Sequence, residues 1–410
     1  MKALHTLDAE LRRNLLILFT AGLFFWSSVA SLLPTLPLYI QHIGATKQQI
    51  GVVMGSFAIG LLLFRPRLGK MADRRGRKIV LLIGVITAAI APLGYLVVTS
   101  IPLLMVLRAF HGISIAAFTT AFSTLVADFA PIKTRGEIIG YMSLVTPIGM
   151  ATGPALGGYI QAAVGYTPLF LLAAGLGFLS LLVSLPVVNP PFQTQQPGKI
   201  NESKFWQMLL SPRVKIPAVV MLLVGLAFGT MSTFVPLFIK ATKVDLNPGL
   251  FYTAAAISSF AIRLIAGKAS DRLGRGLFVT VGLVCYTIAM LLLWNANSRE
   301  SFLLAAAIEG AGGGTVIPMM AALIADRSEP QERGQMFSLC ITGFDVGIAI
   351  AGPVLGSVAE QVGYRYMFGF AACLTFLAII IFLTQSSKNL RKSLRFALGR
   401  GEDAYSLNKL

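Results

Sequence analysis

The chain has 410 residues and a formal net charge of +17; 55% of its residues are hydrophobic and only 12% are charged. Soluble domains carry about 25% charged residues, so this composition excludes an ordinary soluble protein and indicates that lipid is the solvent. The positive charge would suit a nucleic-acid-binding protein, but the charges fall in short segments between apolar runs long enough to cross ~30 Å of hydrocarbon. We therefore expect a lipid bilayer, and no nucleic acid, as a partner.

Twelve apolar segments follow one another along the chain and predict an all-α membrane protein with 12 transmembrane helices. Glycine and proline inside several of them are tolerable in a membrane, because neighbouring helices can satisfy the freed backbone groups. The approximate bounds are 14–40, 50–64, 79–99, 101–127, 137–163, 167–187, 214–240, 247–267, 277–295, 301–325, 334–360 and 364–385.

The one long polar interruption lies at 188–212 and includes Pro190, Pro191 and Pro197. Such a composition predicts a linker. The chain is thereby divided into a six-helix bundle at 1–187, a linker at 188–212, a second six-helix bundle at 213–385 and a polar, basic tail at 386–410 that we expect to be mobile.

The basic residues indicate the orientation of these helices. One side collects 27 of the 34 Lys and Arg, and the other side has five. Loops rich in Lys and Arg stay in the cytoplasm, so both termini, the linker and the basic loops are predicted to be cytoplasmic.

A basic, glycine-containing segment between the second and third predicted helices, Arg65–Lys78, recurs in the second half of the chain at Arg263–Gly276. Seven of its residues have an identical residue 198 positions later, and Gly153–Gly157 is similar to Gly352–Gly356 at an offset of 199. Because each copy contains an even number of helices, the halves share one orientation. This predicts a parallel repeat about an axis along the membrane normal, one layout of secondary transporters.

Three motifs in this order resemble signatures of the major facilitator superfamily. Gly69–Lys78 is similar to the loop that joins its second and third helices, and Arg108 with Gly112 resembles its helix-4 signature. Gly149–Gly158 resembles the helix-5 signature of its twelve-helix drug and metabolite exporters. The resemblance covers residues 10–385 and implies two six-helix halves that move substrate by alternating access.

The repeated basic segments predict a cytoplasmic gate. Gly69 and Gly76 allow a tight turn, and two pairs at the same offset, Arg77 with Asp128 and Arg275 with Asp326, can form ion pairs. The resemblance implies that Asp73 lies against the positive N-terminal end of the eleventh predicted helix, 334–360. By symmetry, Asp271 lies against the fifth predicted helix, 137–163. The gate residues are Gly69, Asp73, Arg74, Gly76, Arg77, Asp128, Gly267, Asp271, Arg275 and Asp326. The alternative is that the basic residues only fix topology and bind anionic lipid.

The helix-5 motif consists of Gly149, Gly153, Pro154, Gly157 and Gly158. Small residues let two membrane helices approach closely, and the proline removes a backbone hydrogen bond and can kink the helix. The motif therefore predicts close packing. The resemblance adds a flexing or leak-sealing interface that favours export.

Four ionisable residues inside predicted helices mark a candidate transport site, because burying a charge in a membrane is costly. They are Arg108, His111, Glu309 and Asp345. We expect Glu309 and Asp345 to carry the coupling proton, and Arg108 to orient substrate or tune a carboxylate. The resemblance implies that Arg108, His111 and Glu309 face a central cavity. Hydrogen bonds between helices are the alternative role.

The function that fits these observations is secondary active transport, with proton-coupled export of small amphipathic molecules as the leading hypothesis. Uptake or facilitated transport of a sugar or metabolite, and a membrane sensor or partner-binding scaffold, are the alternatives. No nucleophile–base set or phosphate-binding loop points to an enzyme, and the isolated Cys285, Cys340 and Cys373 suggest no metal or cofactor. We expect a monomer in the bacterial inner membrane.

Overall fold

The computed structural model describes residues 8–131, 134–189, 207–329 and 332–407, apart from the side chains of Lys268 and Asp271. Every regular element within these ranges is a helix. In chain order the helices are α1 (Ala9–Ser31), α2 (Leu36–His42), α3 (Lys47–Arg75), α4 (Arg77–Val97), α5 (Ile101–Phe129), α6 (Arg135–Met142), α7 (Val145–Val164), α8 (Tyr166–Ser184), α9 (Lys215–Ala241), α10 (Pro248–Leu273), α11 (Arg275–Asn295), α12 (Arg299–Asp326), α13 (Arg333–Gln385) and α14 (Leu390–Ala397).

Ten helical segments in the described part of the chain are long and apolar enough to cross a membrane, and α7 is not one of the ten. α13 has 53 residues, or about 80 Å at ~1.5 Å per residue, against ~30 Å of hydrocarbon. Its backbone leaves the helical conformation at Gly363, where φ is 81° and ψ is 169°. The prediction of an all-α membrane protein is confirmed, whereas the number of 12 crossings stays a prediction.

The chain forms two compact units, which we describe separately. Unit 1 contains Met1–Ala45, Val52–Pro197 and Asn247–Thr253, and unit 2 contains Thr46–Gly51, Gly198–Leu246 and Ala254–Leu410. The start of α3 thus belongs to unit 2, and the start of α10 belongs to unit 1. The predicted bundle boundaries stay predictions, and most of the predicted linker, 190–206, lies outside the described residues.

Unit 1 is built around α1, which packs against α7 and α8, and α4, which packs against α5 and α8. Its core is apolar, and the rings of Phe25 and Phe118 stack with centroids 3.8 Å apart. In unit 2, α9 packs along α13, and α11 packs between α12 and α13. Several helices keep an exposed apolar face, such as that of Leu103 and Val106 on α5, which is the pattern that a lipid solvent permits, whereas α9 is buried on nearly all sides.

The basic segment between α3 and α4 is mostly helix, so its prediction as a glycine-hinged loop needs correction. α3 continues to Arg75, with Gly69 inside it, and only Gly76 has a positive φ, 99°. Leu68 and Ala72 are buried, and their four-residue spacing keeps an apolar face turned inward, whereas one interior glycine costs only about 1 kcal/mol. The expected turn at Gly69 is therefore wrong, and the repeat behaves alike: Gly267 lies within α10, and Gly274 has φ 91°.

The tail after α13 is folded against unit 2, so our expectation that it is mobile is wrong for the residues up to Leu407. Thr280 donates a hydrogen bond to the carbonyl of Ala397 at 2.8 Å. The amide of Leu407 donates to the carbonyl of Asp326 at 2.9 Å. The sequence pattern missed this docking because its main anchor, described below, is a single ion pair between distant residues.

Candidate functional site

A buried cluster of polar side chains lies inside unit 1, on α4 and α5. Arg108 and His111 are three residues apart on α5 and therefore share one face of that helix. The hydroxyl of Tyr95, on α4, lies 3.2 Å from Nδ1 of His111 and also interacts with Arg108. The guanidinium carbon of Arg108 is 4.3 Å from the ring centroid of Phe57, a cation–π contact.

The unit 1 cluster leaves two buried polar atoms without a hydrogen-bond partner among the described residues, Nε of Arg108 and Nε2 of His111. A buried polar atom without a partner costs free energy, and a buried cation without a carboxylate costs more. A ligand with hydrogen-bond acceptors would remove this cost at Arg108. The cluster therefore has the chemistry of a binding site as well as that of a helix–helix contact.

Unit 2 carries a matching cluster on α11 and α12. The carboxylate of Glu309 interacts with the hydroxyl of Tyr286. Gly313 lies one turn beyond Glu309, and a Cβ there would lie 3.0 Å from the hydroxyl oxygen of Tyr286 and 3.6 Å from Oε1 of Glu309. Glycine at this position keeps the two polar groups free of a covering side chain. Arg263, on α10, interacts electrostatically with Tyr286.

His111 and Glu309 stand 198 positions apart, at equivalent places in the repeat, and each interacts with a tyrosine of the preceding long helix. The tyrosines are not equivalent in the repeat, since Tyr95 and Tyr286 are separated by 191 positions. The repeat therefore does not reveal them. A buried tyrosine hydroxyl usually has a hydrogen-bond partner, so a tyrosine inside an apolar run is the signal that could have found both.

The four ionisable residues predicted for transport are all buried. The exposed fractions are 5% for Arg108, 0% for His111, 4% for Glu309 and 5% for Asp345. Asp345 lies on α13, 12 residues after its start, or ~18 Å along the helix, and its side chain takes part in an interaction. The expected central cavity would lie between the two units. That these residues face it therefore stays a prediction.

The two ion pairs expected from the repeat are both present. Arg77 pairs with Asp128 in unit 1, and Nε of Arg275 lies 2.7 Å from Oδ2 of Asp326 in unit 2. In both units a glycine with positive φ comes directly before the arginine, so the arginine begins a new helix and projects toward the end of the helix that carries the aspartate. Each pair ties the ends of two successive long helices together.

Asp73 and Arg74 are exposed, and the side chain of Asp271 lies outside the described residues. The contact proposed between Asp73 and the start of α13 would join the two units and stays a prediction.

Beside the second ion pair lies Arg327, which in the sequence is only one of two basic residues in the polar segment 326–333. It is the largest fully buried side chain in the described part of the chain. Its Nε lies 2.6 Å from Oδ2 of Asp403, and its Nη2 lies 2.9 Å from Oδ1. Nη2 also donates to the carbonyl of Ser386 at 3.1 Å, and the guanidinium stacks near the ring of Tyr405. This bidentate ion pair between Arg327 and Asp403 anchors the tail.

The helix-5 motif divides into two contact faces within unit 1. Gly149, Gly153 and Gly157, spaced by four residues, lie against α1. A Cβ on Gly157 would lie only 2.1 Å from the carbonyl oxygen of Ser31. Gly158 faces Asn247 instead, at the start of α10. The predicted close packing is therefore present, with α1 as the main partner.

Replacing Gly157 with Ala is expected to destabilise the protein by about 1–3 kcal/mol, because the added methyl group must displace backbone rather than a flexible side chain. Thermal unfolding in detergent measures the effect. Gly175→Ala, on α8, is the matched control, since a Cβ there meets nothing within 4 Å, and it should be neutral or slightly stabilising. Equal losses in both variants would refute the packing argument.

Comparisons with known proteins identify related sequences and a related fold. The sequence model of the Major Facilitator Superfamily matches residues 17–275 and 246–400. The chain is 26% identical over 370 residues to the multi-drug resistance efflux pump PmrA of Streptococcus pneumoniae serotype 4, covering 87% of this chain and 91% of the relative. It is 26% identical over 388 residues to the multidrug resistance protein MdtG of Proteus mirabilis, covering 90% and 94%.

Among solved structures, a mutant of the nucleoside transporter NupG has a similar fold, with a TM-score of 0.78 over 90% of this chain and 98% of that chain. Its sequence identity is 17%, so the likeness concerns the fold alone.

Proposed function

Because the chain belongs to the major facilitator superfamily, a family of membrane transporters, we propose that it exports small amphipathic molecules in exchange for protons by alternating access. It is an integral multi-pass protein of the bacterial inner membrane. The export direction is supported by the relative PmrA, which is named a multi-drug resistance efflux pump. The family consists of transporters rather than enzymes.

The topology that goes with this proposal has 12 crossings, with α7 as the fifth and the two parts of α13, divided at Gly363, as the last two. Both termini and the linker lie in the cytoplasm, as the 27 basic residues on that side indicate. The halves at 1–187 and 213–385 work as a monomer. This arrangement assigns the pairs Arg77–Asp128 and Arg275–Asp326 to the cytoplasmic ends of their helices.

One observation carries the proton coupling: Glu309 is a buried carboxylate that lies beside the neutral hydroxyl of Tyr286. Burying a charged carboxylate is costly, and taking up a proton removes the charge. A group of this kind can bind a proton on one side of the membrane and release it on the other once water reaches it. Asp345 is the second candidate, and the first predicted helix, which α1 and α2 form, has no acidic residue between Leu15 and Ile40 to compete with them.

Inverted membrane vesicles that are acidic inside test the function directly. A panel of amphipathic cations, anions and neutral dyes is added, and the internal pH is followed. Dissipation of the gradient by a substrate supports antiport. Substrate-driven acidification in right-side-out vesicles would instead favour uptake of a sugar or metabolite. No transport of any panel member, together with specific binding of a soluble protein, would favour the scaffold function.

The two copies of the basic segment are expected to contribute unequally to transport. Asp73→Asn is expected to slow transport up to about 30-fold, since a carboxylate at a helix N-terminus contributes up to ~2 kcal/mol. Asp271→Asn should cost less, because the repeat of the basic segment has fewer positive charges, with Leu273 and Gly276 at the positions of Arg75 and Lys78. Initial rates in inverted vesicles measure both, and Asp245→Asn is the matched control. Equal losses would mean that the halves share the gate evenly.

A further inference from the structure

The tail helix α14 presents three different faces. Ser393, Phe396 and Ala397 are buried against unit 2. Leu390, Leu394 and Leu398 are 55%, 37% and 46% exposed, and their spacing of four residues aligns them in one apolar stripe. At 3.6 residues per turn, Arg391, Lys392 and Arg395 follow about 110° further around the helix, Lys388 lies just before its N-terminus, and all four are exposed. An exposed apolar stripe beside a basic face is typical of helices that lie in a membrane interface.

The contacts of α14 hold it at the depth of such an interface. Its last residue, Ala397, accepts the hydrogen bond of Thr280 at 2.8 Å. The carbonyl of Phe396 lies so close to Gly276 that a Cβ there would be 2.3 Å away. The membrane-spanning helix α11 begins at Arg275, so Thr280 is only about 7.5 Å inside it. Interfacial helices bury their apolar face about 5–10 Å into the boundary between headgroups and acyl chains.

The helix is also held rigidly enough to present these faces. Asn389 accepts a hydrogen bond from the amide of Lys392 at 2.9 Å and so caps the N-terminus of α14. Ser393 accepts one from the amide of Ser387 at 2.9 Å. Beyond α14, the bonds between Arg327 and Asp403 fix the returning chain.

We propose that α14 is an interfacial helix that binds the anionic phospholipids of the bilayer in which the protein sits. The leucine stripe enters the boundary between headgroups and acyl chains, and Lys388, Arg391, Lys392 and Arg395 contact the headgroup phosphates. A second protein is a poorer fit, because three leucine side chains make too small a patch for an interface that needs about 20–30 residues a side. The exposed basic face matches the charge of anionic lipid.

Hydrogen–deuterium exchange of the full-length protein in nanodiscs tests the proposal, since both faces of the bilayer are accessible there. Discs of dioleoylphosphatidylcholine alone are compared with discs that contain equal parts of dioleoylphosphatidylglycerol. Amides of residues 390–398 should exchange more slowly in the anionic discs, and amides of 243–247 should not change. Because one basic residue near an anionic surface strengthens binding about fivefold, Arg391→Gln/Arg395→Gln should reduce the protection about 25-fold.

The control variant Lys243→Gln/Arg299→Gln removes the same charge from the opposite ends of the long helices and should retain the protection. Raising the salt concentration should weaken it, because the Debye length falls to ~3 Å at 1 M. Inorganic phosphate added to phosphatidylcholine discs should not reproduce it. Equal exchange of the wild-type helix in both kinds of disc, or equal losses in the two charge variants, would overturn the proposal.

Discussion

Replacing Glu309 with Gln is expected to abolish proton-driven accumulation while the protein still folds and inserts. Glutamine keeps the shape and can still accept a hydrogen bond from Tyr286, but it cannot exchange a proton. A proton-motive force of roughly 200 mV supplies about 4.6 kcal/mol per proton, or about three decades of electroneutral solute gradient. The variant should lose this gradient, so that the substrate ratio across the vesicle membrane falls from up to ~1,000 to about 1.

The measurement is substrate accumulation in inverted vesicles, with substrate binding to the purified variant as the test of folding. Glu300→Gln, an exposed carboxylate in the first turn of the same helix, is the matched control and should behave like the wild type. Tyr286→Phe should slow transport without abolishing it, because the carboxylate remains. Full accumulation by Glu309→Gln together with its loss in Asp345→Asn would move the proton site to α13.

Replacing Arg327 with Ala is expected to release the tail from unit 2. Removing one partner of a buried ion pair costs about 3–5 kcal/mol, because the other charge stays buried and unpaired. The groups that would lose their hydrogen-bond donor are the carboxylate of Asp403 and the carbonyls of Ser386 and Arg213. Arg327→Lys should rescue only part of the loss, since an ammonium group cannot form the two-pronged bond.

Trypsin cleavage of the purified protein measures this release, because the tail contains the potential sites Lys388, Arg391 and Lys392. Cleavage there should be slow in the wild type and at least about 100-fold faster in Arg327→Ala, the factor that ~3 kcal/mol corresponds to. Arg333→Ala, an exposed arginine only six positions away, should leave the rate unchanged. A slow rate in Arg327→Ala would show that the anchor is unimportant.

The helices and their order followed from the sequence because hydrophobicity over ~20 residues is a local property, and it decides whether a segment can cross the hydrocarbon layer. The predicted segment at 101–127 corresponds to α5 (Ile101–Phe129), and that at 277–295 to α11 (Arg275–Asn295). The ion pairs Arg77–Asp128 and Arg275–Asp326 followed from the repeat, since two copies of one arrangement must satisfy the same contacts. Which glycine forms the turn did not follow from the sequence. Gly69 and Gly76 look equivalent there, and only the packing of Leu68 and Ala72 distinguishes them.

The partners of the buried groups were decided by the tertiary structure. Tyr95 lies 16 residues before His111, and Tyr286 lies 23 residues before Glu309, the side chains that they contact. No periodic pattern in the sequence predicts such pairs. Arg327 and Asp403 are 76 residues apart, and each alone reads as a solvated charge. The sequence by itself determined the solvent, the helices, the repeat and the family signatures, because these depend on composition and spacing along one chain. Which polar groups meet inside the units, and where the tail docks, depended on the tertiary structure, because such contacts arise only when helices distant in sequence are packed together.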